Sequence, residues 1–189
     1  MKKHNIILAD PPWAYRDKCC AGNRGAAFKY PVMSIEEIKS LDVQKLADEN
    51  CALFLWTTGP MMPEAIKVIK AWDFDYKTIA FTWIKLNKKS SSLFWGMGNY
   101  TRANPEYCLL GLKGRLERKS ASVHSVIESK KGEHSQKPDE VYNRIRKLYG
   151  DIPSAELFAR KTVAGWSVYG YESSGHDIRK LLTKGGAGN

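Results

Sequence analysis

The chain has 189 residues, of which 43% are hydrophobic and 26% charged, and its formal net charge is +10 at pH 7. This length and composition predict a single globular domain spanning residues 1–189. No apolar run approaches the ~20 residues of a membrane span, and the apolar stretch after the polar start is too short for a signal peptide. The four cysteines lack metal-ligand spacing, so we expect reduced thiols, no metal and a cytoplasmic location.

The first predicted strand, residues 6–9, ends in an unusual corner. Its apolar run is continuous, as expected for a central strand covered on both faces. Pro11 and Pro12 lack the N–H that a sheet ladder needs, so the strand must stop there. Asp10 is thereby held at the carboxyl end of a strand, where open α/β sheets bind their ligands. The prolines also fix the position of Trp13 relative to this carboxylate.

Further strands and helices alternate along the rest of the chain. Strands are predicted at 51–56, 78–84, 106–112, 155–160 and 166–170. Helices are predicted after the Ser34–Glu37 capping box, after Pro63 with Ile66, Ile69 and Trp72 facing inward, after Pro138, and over 178–182. This alternation predicts an α/β fold with a mostly parallel sheet. Residues 113–137 lack periodicity and are expected to be poorly ordered without a ligand, and the end, 184–189, is expected to fray.

The excess positive charge is confined to two regions. Residues 14–33 contain four basic and one acidic residue, and residues 85–137 contain eleven basic and four acidic residues. The remainder of the chain is neutral overall. Both regions are predicted to contain loops beside the strand ends. A basic rim around a binding site favours a nucleic acid as partner over a merely solubilising surface, which would spread its charges more evenly.

The corner after the first strand suits one kind of ligand group. An exocyclic amino group on a flat base has two N–H donors, which the Asp10 carboxylate and the Pro11 carbonyl could accept while Trp13 stacks on the ring. These bonds would aim the nitrogen lone pair at an electrophile. A Pro-Pro turn after an ordinary strand is the alternative for this four-residue motif by itself.

With these residues, the chain resembles the N6-adenine methyltransferases typified by the catalytic subunit of the messenger-RNA adenosine methyltransferase, a family with many bacterial and phage members. The resemblance runs from about Ile6 to Glu172. After Asp-Pro-Pro-Trp, the matching pieces follow in the family's order: residues 30–34, 53–57, 83–85, 96–98 with Arg102 and Glu106, 110–114, 134–140, 156–160 and 165–166. None of these later pieces identifies the family by itself. Eight pieces that occur in the family's order are a strong indication together.

The resemblance implies a Rossmann-like S-adenosylmethionine-dependent methyltransferase fold in permuted order, with the catalytic strand before the cofactor-binding strand. Asp10, Pro11, Pro12 and Trp13 would form the catalytic motif. Cofactor contacts are implied for Asp10, Lys137, Glu156, Arg160 and Glu172, with Lys137 pairing with the cofactor's carboxylate. Substrate contacts are implied for Trp13, Tyr30, Trp83, Lys85, Arg102 and Glu106. Core packing is an equal alternative to stacking for Trp83 and a weaker alternative for Trp13. Candidates for phosphate contacts are Lys88, Lys89, Arg102, Arg115, Arg118 and Lys119.

The chain departs from the family pattern in three places, which comprise four residues. Ala159 replaces a glycine, Thr162-Val163 replace the His-Asn pair of the messenger-RNA enzyme, and Tyr171 replaces an asparagine. Relatives hold the cofactor with these positions, so this sequence leaves its own cofactor contacts open there.

The expected reaction is methyl transfer from S-adenosylmethionine to N6 of adenine in DNA, by an enzyme of a bacterial or phage-infected cell. The resemblance to compact family members favours DNA. An RNA adenine methyltransferase is the close alternative, and a non-catalytic nucleic-acid-binding subunit is a third. A membrane partner is not expected, and the sequence leaves open whether the protein forms a homodimer or heterodimer.

Overall fold

Seven strands form one sheet in the computed structural model, which describes residues 1–14, 32–98, 100–132, 136–170, 178 and 182. The strands are β1 (His4–Ala9), β2 (Ala47–Thr57), β3 (Asp75–Leu86), β4 (Glu106–Lys113), β5 (Val126–Lys130), β6 (Ser154–Ala159) and β7 (Trp166–Gly170). Their order across the sheet is β5-β3-β4-β2-β1-β6-β7. β1 therefore lies inside the sheet, between β2 and β6.

The sheet is mostly parallel, as predicted. β1 runs parallel to both of its neighbours, and β6–β7 and β3–β5 are parallel pairs as well. Only β4 among these strands runs the other way, antiparallel to β2 and β3. The carboxyl ends of β1, β3 and β6 and the amino end of β4 consequently meet at one edge of the sheet. We call this the site edge.

Helices cover both faces of the sheet. α1 (Ile35–Ser40) and α2 (Met62–Ala71) lie on one face, and α3 (Glu140–Tyr149) lies on the other. Alternate residues of β1 serve the two cores: Ile7 packs with the α1–α2 cluster, and Ile6 packs with the α3 cluster. The described residues also form two short 3₁₀ helices, Val43–Lys45 and Gly59–Met61.

Local sequence signals account for the helix ends. The predicted capping box opens α1, since Ser34 Oγ accepts from the Glu37 N–H and Glu37 accepts in return from the Ser34 N–H. α3 stops at Gly150, whose φ of 90° lies in the left-handed region that favours glycine. Ile178 and Leu182 are helical and fully buried, as predicted for a short last helix.

Two predictions about the secondary structure are wrong. Ile66 was predicted to face inward but is 37% exposed. The buried face of α2 instead contains Ala65, the residue before Ile66, together with Val68 and Ile69, and Trp72 continues it. The region 113–137 contains the edge strand β5. The hydrophobic pattern of β5 is weak because Ile127 is its only buried residue. Pairing with β3 holds this segment in the strand conformation.

Cys51 and Cys108 are buried free thiols, as expected, whereas Cys19 and Cys20 lie outside the described residues. Burial raises the pKa of both described thiols, so each behaves as a small apolar side chain. In the part of the chain that the structure describes, no helix has the length and hydrophobicity required to cross a bilayer.

Candidate active site

The corner after β1 is held by backbone hydrogen bonds. The Trp13 N–H donates to the Pro11 carbonyl at 2.9 Å, and the Met33 N–H donates to the Pro12 carbonyl at 2.9 Å. Trp13 and Met33 also form a parallel bridge. The carbonyl of Pro11 has a second lone pair for a further donor, because each carbonyl oxygen carries two. The chain after Asp10 is thus fixed in place without a sheet ladder.

A row of four charged side chains lies at the site edge. The Lys137 ammonium binds Asp10 Oδ2 at 2.7 Å and Glu106 Oε2 at 3.2 Å, and Lys85 binds Glu106 Oε1 at 2.6 Å. We call these residues the ion-pair row. Asp10 follows β1, Lys85 lies near the end of β3, Glu106 begins β4 and Lys137 precedes α3. The Asp10 carboxylate therefore faces a cation in direct contact, not the apolar interior.

Burial and charge pairing act against each other within the row. Burial disfavours the Lys137 ammonium, but Asp10 and Glu106 outweigh it and raise the pKa of Lys137. Burial likewise favours neutral Glu106, yet Lys137 and Lys85 lower the pKa of that carboxyl. For Asp10, burial raises the pKa, and the Lys137 ammonium opposes this shift. With all four groups ionised, the row carries two positive and two negative charges and is neutral overall.

Both tryptophans expected to contact the substrate lie in the core. Trp13 is 5% exposed, and its indole N–H donates to the Trp56 carbonyl at 3.0 Å. Trp83 is 2% exposed, and Lys85 Nζ lies 5.3 Å from its ring centre. Trp56, which the sequence did not single out, lies under the row, with Lys137 Nζ 5.9 Å from its ring centre. The Trp83 and Trp56 rings thus lie beneath the two lysines of the row, whereas Trp13 packs in the core on the other face of the sheet.

The expected cofactor residues of β6 lie beside β1. Glu156 accepts hydrogen bonds from the Tyr142 hydroxyl at 3.1 and 3.0 Å. Burial raises the pKa of Glu156 to about 7, although the Tyr142 hydrogen bond lowers it. Arg160 is exposed immediately after β6. Two expected site residues, Tyr30 and Glu172, lie outside the described residues, as do all four basic residues of 14–33.

The backbone at the end of β6 is strained. Phe158 is buried and has a φ of 62°, in the left-handed region that a bulky side chain rarely adopts. The pairing of β6 with β7 shifts register at this point, between Leu157 and Ala159. Such outliers persist where the surrounding structure enforces them, and they concentrate at functional sites. The sequence carries no signal for this conformation, since glycine would have been its usual marker.

The candidate phosphate-binding residues make none of the ion pairs of the row. They are all exposed: Lys88, Lys89, Arg102, Arg115, Arg118 and Lys119. Arg102 donates to the Met97 sulfur at 2.9 Å, and Arg115 pairs with Glu117 at 2.8 Å. The structure thus brings Asp10, Lys85, Glu106 and Lys137 together and leaves Arg102 outside that cluster. Asn104, a buried residue that sequence reasoning missed, binds both backbone groups of Lys85.

Comparison with known proteins gives a consistent result. A family model described as MT-A70 matches residues 4–172 of the chain. The Type II methyltransferase M.MunI of Mycoplasma sp is 35% identical over 202 residues, which covers 97% of this chain and 83% of that protein.

Longer plant and animal relatives match as well. A putative N(6)-adenosine-methyltransferase MT-A70-like protein of Medicago truncatula is 32% identical, with 92% of this chain and 27% of that protein covered. The N(6)-adenosine-methyltransferase catalytic subunit METTL3 of Homo sapiens is 28% identical, with 84% and 26% covered. The chain therefore spans about a quarter of the length of these two relatives.

Proposed function

The chain belongs to the MT-A70 family of adenine-N6 methyltransferases, and on this premise we propose that it transfers a methyl group from S-adenosylmethionine to N6 of adenine in DNA. The observation that carries the proposal is the position of Asp10. Its carboxylate lies at the carboxyl end of an interior parallel strand, followed by two prolines and paired with Lys137. A site of this kind can hold and polarise an amine.

Asp10 orients the adenine amine in the proposed reaction. Lys137 occupies Oδ2, and within the described residues Oδ1 has no hydrogen bond, so Oδ1 is the oxygen offered to one N6–H. The Pro11 carbonyl accepts the other N6–H through its second lone pair. Both bonds direct the nitrogen lone pair toward the methyl donor, and the proton leaves to water after the nitrogen has been alkylated. Positioning and electrostatics then supply most of the rate acceleration.

The charges at the site edge fit the cofactor's amino-acid group. S-adenosylmethionine supplies an electrophilic methyl group on a sulfonium, and its methionine part carries one carboxylate and one ammonium. Lys137 offers a cation for the carboxylate, and Asp10 and Glu156 offer acidic side chains nearby. We assign Arg160 and Glu172 to the remaining cofactor contacts by resemblance. The cofactor-binding strand β6 then follows the catalytic strand β1 in the chain, which is the permuted order.

The relatives support DNA as the first candidate substrate and RNA as the second. The Mycoplasma relative, a Type II methyltransferase, is covered along most of its length, which supports DNA. The longer relatives are named adenosine methyltransferases, which supports RNA as the second candidate. An adenine in a duplex must be extruded, at a cost of a few kcal/mol, before an amine-binding corner can reach it. We propose a cytoplasmic location for either activity.

Incubation with isotope-labelled cofactor and separate DNA and RNA pools, followed by nucleoside mass spectrometry, tests the proposal. The expected product is labelled N6-methyldeoxyadenosine, and the Asp10→Ala variant should form none while still binding the cofactor in calorimetry. Label found only in N6-methyladenosine would reassign the substrate to RNA. Absence of cofactor binding by the unaltered chain would instead support a non-catalytic subunit.

A further inference from the structure

The segment between β3 and β4 presents large apolar side chains to solvent. We call residues 87–105 the β3–β4 hairpin, and all of it except Asn99 is described. Within six positions, Trp95 is 59% exposed, Met97 is 88% exposed and Tyr100 is fully exposed. Exposed apolar side chains that occur singly need no explanation, but a group of three in one loop indicates a binding surface.

Hydrogen bonds and close packing fix the backbone that carries these side chains. The buried Asn104 amide donates to the Lys85 carbonyl at 2.9 Å and accepts from the Lys85 N–H at 3.0 Å. A Cβ at Gly98 would lie 2.1 Å from the Thr101 carbonyl oxygen, so only glycine fits there. The exposed rings are therefore held on a defined backbone before any partner binds.

The hairpin is anchored in the ion-pair row. Its two flanking residues, Lys85 and Glu106, bind each other at 2.6 Å, and Glu106 binds the Lys137 ammonium that contacts Asp10. β3 enters the hairpin at the same edge of the sheet at which β1 delivers Asp10. The hairpin that carries the exposed rings thus leaves the sheet and returns to it at the site edge, where β1 ends at Asp10.

The charge of the hairpin defines the chemistry of its partner. Residues 86–105 contain three basic residues and no acidic one. Lys88, Lys89 and Lys131 line a hollow of about 430 Å³, and the Lys131 ammonium lies 3.9 Å from the centre of the Phe94 ring. Ammonium groups beside stacking surfaces suit a polyanion with flat bases, because phosphates pair with the lysines and bases stack on the rings.

We propose that the β3–β4 hairpin is a wedge that enters duplex DNA beside the target adenine, with Trp95 and Tyr100 replacing the stacking that the extruded base gives up. Lys88, Lys89 and Lys131 hold the backbone phosphates next to the opened step. Apolar wedges of this kind partly unstack a base step and keep it open. The inference rests on the proposed function, since it explains how a paired adenine could reach Asp10.

Methylation of the same DNA in two forms tests the wedge. Labelled methyl incorporation is measured on sheared genomic duplex and on that DNA after heat denaturation. In the double variant Trp95→Ala/Tyr100→Ala, the ratio of the duplex rate to the single-strand rate should fall at least tenfold. Tyr76→Ala, which removes a half-exposed ring at the opposite end of β3, should leave the ratio unchanged. Equal losses on both forms of DNA, or an unchanged ratio in the double variant, would overturn the proposal.

A second arm measures binding without cofactor, so that it does not depend on methyl transfer. Fluorescence anisotropy of a labelled mixed-sequence duplex is followed against salt concentration. Lys88→Gln/Lys89→Gln should reduce the slope of log K against log salt by roughly 0.9 for each lost phosphate contact. Lys67→Gln, an exposed lysine of α2, should not change the slope.

The two arms separate the wedge from the proposed function. If the unaltered chain methylates neither form of DNA but binds duplex through Trp95 and Tyr100, the wedge stands and the assigned reaction fails. If the double variant instead abolishes self-association in sedimentation while duplex binding persists, the surface binds protein and the wedge is wrong. Matched thermal unfolding of all variants verifies that each is folded.

Discussion

The ion-pair row and the ion pairs on the helix surfaces use the same chemistry in different surroundings. The side chains of the row are between 12% and 26% exposed. By contrast, Glu36 of the Lys39–Glu36 pair is 80% exposed, and Asp139 of the Lys161–Asp139 pair is 66% exposed. Water can replace a lost partner in the exposed pairs, whereas a lost partner in the row leaves a charge without solvation.

This contrast assigns different roles to the two groups. Surface pairs contribute little to folding, since screening and side-chain entropy cancel most of their attraction. The row is costly to assemble, because several charges must leave water. A protein that keeps such a row at the site edge maintains charged groups where a ligand needs them. The contrast predicts that substitutions in the row change activity or stability strongly and that substitutions in surface pairs change them little. The expected effects decrease in size from the row to the surface pairs.

The largest effect is expected for Asp10→Asn. The amide keeps the shape of the side chain but loses the negative charge that polarises the amine, so methyl transfer should fall on the order of 10²–10³-fold. The rate with saturating labelled cofactor measures this loss. Asp75→Asn, which alters an exposed pair with Lys77, is the matched control and should retain full activity. Comparable losses in both variants would remove the distinction between the row and the surface.

The next effect is on stability. Lys137→Met leaves the Asp10 and Glu106 carboxylates without the ammonium they share, and the free energy of unfolding should drop by about 3–5 kcal/mol. Lys161→Met, which breaks an exposed pair, should cost less than about 1 kcal/mol. Urea titrations of both variants measure the two changes. Adding Asp10→Asn to Lys137→Met should recover part of the loss, because Asp10 is the carboxylate that loses its ion-pair partner, whereas Glu106 still pairs with Lys85.

A pH-dependent effect of intermediate size is expected from Glu156. Its pKa is raised from an ordinary 4.5 to about 7 by burial, so the folded state favours the protonated carboxyl. The resulting stability is fully present below pH 4.5 and is lost as the pH rises through 7, with a total change on the order of 1–3 kcal/mol.

Urea unfolding at pH 5 and pH 8 tests this linkage. The unaltered chain should lose more stability between the two values than Glu156→Gln, which cannot ionise. Glu128→Gln, an exposed position of β5, should behave like the unaltered chain. A Glu156→Gln profile that coincides with the unaltered one would show that the carboxyl does not carry this dependence.

The smallest effect completes the series. Lys39→Met removes an exposed i,i+3 pair from α1 and should change the free energy of unfolding by no more than about 0.5 kcal/mol. The difference should shrink further in 1 M salt, where exposed charges are screened within about 3 Å. A salt-independent loss above about 1 kcal/mol would indicate that this pair behaves like the buried row.

The amino-acid sequence determined the features that follow local rules. The continuous apolar run before Asp10 and the two prolines after it define β1 and its end, because proline cannot extend a ladder. Ser34 and Glu37 define the start of α1 by a reciprocal pair of bonds. The alternation of strands with helices determined the mostly parallel sheet.

Only the tertiary structure decided which distant groups meet. Lys85, Glu106 and Lys137 come together with Asp10 because β3 and β4 pair at one edge and the chain returns to that edge before α3. The same packing buries Trp13 and Trp83, which their residue type left open between stacking and core. Strand order and burial arise from many contacts far apart in sequence, so local patterns do not contain them.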